Sequence, residues 1–106
     1  MTSLAETFSA LADENRLAMV ERLMTEGELP AGALVQDAGI SGPAISRHLR
    51  VLREAGVISQ RAEGTKRFYS VRRDALKAIS NWTIDHRYFW ESGLDRLETM
   101  LAEESE

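Results

Sequence analysis

The 106-residue chain has no cysteine. That excludes disulfides, thiolate metal sites and thiol- or persulfide-based sensing. It has only two histidines and no paired acidic motif, so no catalytic constellation is visible and no enzymatic activity is expected. No apolar run approaches the ~20 residues that a bilayer-spanning helix needs. The opening "MTSLAETFSALADENR" has neither the basic start nor the apolar stretch of a signal peptide, and its acidic residues argue against a transit peptide. These absences lead to the expectation of a single-domain cytoplasmic protein with no membrane partner. There is no internal repeat and no low-complexity tract.

Positive charge is scarce in total but concentrated in place. The chain carries 13 Lys+Arg against 17 Asp+Glu. Residues 44–73 hold eight basic and two acidic residues, a net of +6, whereas the segments on either side each have a net of −5. A basic middle between acidic ends suggests a local electrostatic footprint. A solvated, arginine-rich helix face is the plainer explanation of the same charge run.

The spacing of apolar residues places the elements. Leu4, Phe8 and Leu11 share one face of a first helix over about residues 3–12. A second helix follows Asp13 as N-cap, with Leu17, Val20, Leu23 and Met24 as its stripe and Gly27 at its end. "LPAGALVQDAG" reads as a short third helix, with Pro30 near its first turn and Gly39 after its last. Ser41 then caps a fourth helix, with Pro43 in its first turn and Gly56 closing it. Two short helices separated by a tight glycine-containing turn are a helix-turn-helix signature over residues 29–56. The period changes at "VISQRA" and "KRFYSV", two β-prone runs around "EGT", which predicts a hairpin, or wing, over 57–72. The expected fold is mainly α with a small β-hairpin, a winged helix-turn-helix.

At 100° per residue, the fourth helix separates Ile45, Leu49 and Leu52 on one side from Pro43, Ser46, Arg47, Arg50 and Glu54 on the other. The apolar side anchors the helix on a core. The other side offers guanidinium groups and a hydroxyl, and arginine both reads guanine in the major groove and binds phosphate. Ser41 is first a cap, although a capped N-terminus can also hold a phosphate. His48 lies at the margin, either as a DNA contact or as a half-buried structural residue, and Arg53 reads as solvated. On the hairpin, Arg61, Lys66 and Arg67 either track a nucleic-acid backbone or protect a sheet edge. Tyr69 and Val71 read as core.

The stretch "SGPAISRHLRVLREAGVISQRAEGTKRFYSV" resembles the recognition helix and wing of ArsR/SmtB-type winged-helix repressors of prokaryotes. Ser41, Ile45, Ser46, His48, Leu49, Leu52, Ala55, Gly56, Arg61, Gly64, Tyr69 and Val71 carry the pattern, and "FSALADENRLAMVERLM" resembles the family's opening. The resemblance covers roughly residues 4–72. It implies a homodimeric transcriptional repressor that pairs through its first and last helices and binds a double-stranded DNA operator. Family members often have glutamine at position 42 and arginine at 65. Gly42 and Thr65 depart from that, which shifts the reading role to Ser46, Arg47, Arg50 and the wing bases.

The tail, residues 74–103, has an apolar stripe that includes Leu76, Ile79, Trp82, His86, Phe89, Trp90, Leu94, Leu97 and Leu101, with a bend at Gly93 or a break near Asn81 in view. A small domain cannot cover such a stripe, so a second copy of the chain is the expected cover, with residues 1–12 joining the same interface. The rings of Trp82, Tyr88, Phe89 and Trp90 serve as dimer anchors or, alternatively, line a small-molecule pocket between subunits. The third helix offers no cysteine or histidine, and Asp85, His86, Asp95 and Glu98 make a poor metal site, so no metal or cofactor is expected. Similar aromatic tails occur in a metal-independent branch of the family. A metal-responsive repressor using ligands on the last helix and a winged helix devoted to protein contact remain the alternatives, and the sequence names no effector.

Overall fold

A computed structural model describes residues 3–36 and 39–104. The elements run α1 (Leu4–Leu11), α2 (Glu14–Glu26), β1 (Leu29–Pro30), α3 (Ala31–Gln36), α4 (Gly42–Glu54), β2 (Ile58–Glu63), β3 (Lys66–Val71), α5 (Arg73–Asp85) and α6 (Arg87–Glu104). Residues 37 and 38, which the sequence reading gave to the end of the third helix, lie outside the described residues.

Local chemistry accounts for the helix starts. The Ser3, Asp13 and Ser41 side chains accept from backbone amides of the first turns of α1, α2 and α4, satisfying donors that have no partner inside a helix. Gly56, at φ 75°, closes α4 in the left-handed region that other residues avoid. The Val57 amide then donates to the Leu52 carbonyl at 3.0 Å and the chain enters β2. β2 and β3 are joined by Gly64 and Thr65, with Gly64 at φ 62°, the glycine-first pattern of a type II′ turn.

The sheet has three strands rather than the two of a hairpin. β1 pairs antiparallel with β3, Leu29 opposite Tyr69 and Pro30 opposite Phe68, giving the order β1-β3-β2. Pro30 therefore lies in an edge strand, where a missing N–H is tolerated, directly before the first turn of α3. A two-residue strand leaves too short a pattern to be seen in sequence.

The core of the first compact unit, which ends at Leu76, gathers Ala10, Met19, Val20, Leu23, Leu34, Ile45, Leu49, Leu52, Val57, Ile58 and Tyr69. α4 buries the face expected of it. α2 is rotated from expectation: Met19 is in the core beside Val20 and Leu23, and Leu17 and Met24 are exposed. In α1 the small residues Thr7 and Ala10 face inward, with Leu11 half-buried against the core, while Phe8 is 39% exposed. Small residues permit close approach of helices, so size rather than hydrophobicity sets this contact.

The second unit begins at Lys77. The tail is not one helix: α5 ends at Asp85 and α6 begins at Arg87. The break falls at His86, not near Asn81, and Gly93 lies within α6. The Trp82 carbonyl accepts from the His86 amide at 3.2 Å and from its ring Nδ1–H at 2.7 Å. α6 buries none of its residues within one chain.

Two measurements check this packing. Leu52 is fully buried and purely apolar, so Leu52→Ala is expected to lower the unfolding free energy measured in urea by about 2–5 kcal/mol. The Asp13 carboxyl is held below the usual carboxylate range, chiefly by the Arg16 backbone amide, with His48, the Arg16 guanidinium and the Asn15 amide adding to it. A depressed folded-state value means that the ionised cap stabilises the fold above the unfolded carboxylate range and stops doing so as pH falls through the folded value. The melting difference between the parent and Asp13→Asn is therefore expected to favour the parent at pH 7 and to close under acid conditions.

Candidate nucleic-acid interface

α4 brings its polar side chains to one surface because its other side is fixed in the core. Ile45, Leu49 and Leu52 are 1%, 4% and 0% exposed, so Ser46, Arg47 and Arg50 must point outward, and all three are exposed. Pro43 is exposed in the first turn, and the Ser41 hydroxyl oxygen accepts from the Ala44 amide at 3.2 Å.

Strand alternation sorts the wing residues into two faces. Tyr69 is buried beneath the sheet, so Arg67, two residues earlier, shares its face and turns toward α4. Ser46, Arg47, Leu49, Arg50 and Arg53 from α4, with Arg67 and Tyr69 from β3, line a cleft of about 290 Å3 between helix and wing. Four guanidinium groups at one cleft make a site suited to an anion. Arg47, Lys66 and Arg67 make no ion pair among the described residues, whereas Arg50 meets Glu54 at 3.5 Å with both side chains about 70% exposed. An ion pair that open to water is easily exchanged for a phosphate.

Arg53, read as solvated from sequence, donates from its guanidinium to the Gln60 side-chain oxygen and lines the cleft. The four- and three-residue steps from Ser46 to Arg50 to Arg53 carried that signal.

The structure separates two of the expected residues from this group. His48 is 19% exposed at its side chain; its Nδ1 lies 3.4 Å from an Arg16 guanidinium nitrogen and 4.0 Å from an Asp13 carboxylate oxygen. Arg16 also donates to the Ala10 carbonyl at 2.6 Å, so this cluster ties the end of α1 and the start of α2 to the middle of α4.

Arg61 points to the sheet face opposite Tyr69 and Arg67, across from Phe68. Its Nε donates to both Glu28 carboxylate oxygens at 2.9 Å, one terminal nitrogen donates to Glu28 at 2.7 Å and the other to Glu63 at 2.9 Å. Its guanidinium carbon stands 4.5 Å from the Phe68 ring centre. These hydrogen bonds raise the Arg61 pKa further above its already high value and hold the Glu28 carboxyl below its usual range. No sequence signal pointed to Glu28, which is 33 residues away.

Among the described residues, no cluster of three or more His, Asp or Glu side chains could hold a metal ion, and no helix is long and apolar enough to cross a membrane.

Comparison with known proteins fits this geometry. The family model described as "Helix-turn-helix domain" matches residues 11–61. The "HTH-type transcriptional regulator Rv2034" of Mycobacterium tuberculosis is 36% identical over 99 residues, covering 93% of this chain and 89% of that protein. The crystal structure of the ArsR family transcriptional regulator RHA00566 superposes with a TM-score of 0.74 at 26% identity, covering 87% of this chain and 98% of that one. The chain belongs to the ArsR family of winged helix-turn-helix transcriptional regulators. A further neighbour, a fragment of Mb0332 from Mycobacterium bovis described as a possible ArsR-family transcriptional regulator, was solved as a homodimeric winged helix-turn-helix DNA-binding domain, with a TM-score of 0.63 at 28% identity over 79% of this chain and 80% of that one. Other relatives are named transcriptional repressors. In this ArsR-family chain α3 and α4 form the helix-turn-helix and β2–β3 the wing.

Because Arg47 and Arg67 are exposed and unpaired among the described residues, replacing either with alanine is expected to change unfolding free energy by no more than about 0.5 kcal/mol. Urea titration checks this; a much larger loss would mean that these side chains support the fold.

Proposed function

We propose that the chain acts as a homodimeric transcriptional repressor that binds an inverted-repeat operator through α4 and the wing. The observation that carries the reading is the cleft between α4 and β3, where Arg47, Arg50, Arg53 and Arg67 converge on one surface of an otherwise acidic chain. In this reading the N-terminal half of α4 enters the major groove, Ser46, Arg47 and Arg50 face base edges, and Lys66 and Arg67 follow the phosphate backbone, with Ser41 and Pro43 at the helix entry. His48 and Arg61 are engaged within the protein and support this surface from behind.

Dimerisation rests on what one chain leaves uncovered. In the second unit Tyr88, Phe89, Leu94 and Leu101 are 84%, 63%, 60% and 57% exposed, and Trp90 is 48% exposed. Phe89 and Trp90 already meet edge-to-face at 5.4 Å, an arrangement suited to a buried aromatic cluster. An apolar surface of this extent needs a partner, and the homodimeric Mb0332 neighbour supports a second copy of the same chain. Trp82 and Leu97, with half-buried Ile79, extend the same surface, and Phe8 of α1, flanked by half-buried Leu4 and Leu11, offers a second patch. Regulation is metal-independent in this reading: the chain has no cysteine, and Asp85, His86, Asp95 and Glu98 are a poor ligand set for a metal.

The test is duplex binding by fluorescence anisotropy against salt. The parent is expected to bind more weakly as salt rises. Arg47→Ala or Arg50→Ala is expected to cost about 1–3 kcal/mol and relax preference at one base pair, while Lys66→Ala weakens all sequences alike and lowers the salt slope by about one. Parent-like binding by all three variants would place the DNA surface elsewhere. Zinc or a chelator is expected to leave affinity unchanged; a tenfold response, about 1.4 kcal/mol of coupling, would contradict metal independence.

A further inference from the structure

Arg61 differs from the other wing cations in what surrounds it. All three guanidinium nitrogens donate to carboxylates, four hydrogen bonds between 2.7 and 2.9 Å. With Glu28 and Glu63 both in contact, the local charge is one negative in excess, which repels a phosphate rather than attracting it. The register explains the arrangement. Pro30 of β1 pairs with Phe68 of β3, and Phe68 pairs with Arg61 of β2. The Arg61 side chain therefore crosses over the Phe68 ring, stacked at 4.5 Å, and reaches Glu28 on the far side of the sheet. Glu28 directly precedes β1, and β1 runs without a gap into α3.

We propose that Arg61 is a positioning residue that clamps the wing to the entry of the helix-turn-helix, and that it makes no contact with DNA. The clamp holds β2 and β3, and with them Lys66 and Arg67, at a fixed place relative to α3 and α4. Its chemistry requires arginine: a planar fork grips a carboxylate with two parallel bonds and stacks on a ring, which an ammonium cannot reproduce. β1 supplies only two residues of ladder, so without the clamp the edge of the sheet is weakly held.

The proposal rests on the DNA-binding reading above, and Glu28→Gln tests it through the sign of its effect. Taking a negative charge away near a DNA-binding surface ordinarily tightens binding. If Glu28 only restrains an arginine that would otherwise meet phosphate, Glu28→Gln frees that arginine, tightens binding and steepens the salt slope by about one. If the clamp positions the wing, Glu28→Gln weakens duplex binding by about twofold to fivefold, the range of one exposed ion pair, with the salt slope unchanged. Arg61→Lys is expected to behave like Glu28→Gln, because the charge remains but the fork is lost, and the double variant should be no weaker than either single one. Lys66→Ala, measured alongside, should lower the slope and so calibrates loss of a phosphate contact. Tighter binding by Glu28→Gln, or full parent affinity in Arg61→Lys, overturns the clamp.

Amide hydrogen exchange on the free protein separates this proposal from the reading beneath it. Glu28→Gln should accelerate exchange in the β1–β3 pairing at Leu29 and Tyr69. Should the parent bind no duplex, the DNA reading fails while exchange still decides the clamp: acceleration supports it, and unchanged exchange refutes it.

Discussion

The burial of Ile45, Leu49 and Leu52 is the constraint from which the rest of the surface follows. These three side chains lie at four- and three-residue steps along α4 and are almost completely removed from water. At about 1.5–3 kcal/mol for each such side chain, no rotation of α4 about its axis that exposes them competes with the observed setting. Ser46, Arg47 and Arg50 are carried outward by the same geometry that carries the leucines inward. The sheet obeys the same logic with a period of two: burying Tyr69 turns Arg67 toward α4 and sends Arg61 to the opposite face. One core therefore decides which cations face the α4–wing cleft and which do not.

Electrostatics completes that division. Arg22, Arg61, Arg72 and Arg87 each bind a carboxylate within 3.1 Å, and these pairs neutralise charge inside the chain. Arg47, Lys66 and Arg67 have no such pairing among the described residues. Net charge is a sum over the whole chain, whereas the α4–wing cleft responds to the charges near it, because screening at physiological salt confines each charge's influence to about 8 Å. A negative total and a cationic binding surface are therefore compatible in one small protein.

Much of this was legible from the sequence where a pattern was long. α4 covers 13 residues, enough for a helical stripe to fix both the element and its buried face. The caps Asp13 and Ser41, the closing Gly56 and the glycine-first turn of the wing all depend on local chemistry that a single residue type announces. Short or non-local features were not legible. β1 has two residues and exists only because β3 offers an edge. The phase of α2 is not legible because Leu17, Met19, Val20, Leu23 and Met24 spread over nearly half of the helix circumference, an arc wider than the buried face, so packing partners, not hydrophobicity, select Met19 over Leu17 and Met24 for the core. The break at His86 interrupts an apolar stripe that continues through it, so no periodicity reveals it. Arg61 looked like its neighbours in the wing and was distinguished only by Glu28, brought to it across the sheet.

The central claim is that two copies of this chain present two α4–wing surfaces to one duplex. Selection of bound fragments from genomic DNA, followed by sequencing, tests it most directly. The account predicts enrichment of inverted repeats whose half-sites are separated by about one helical turn, ~10 bp, or a multiple of it. Fragments enriched for a single unrepeated half-site, or no enrichment over input, would contradict it.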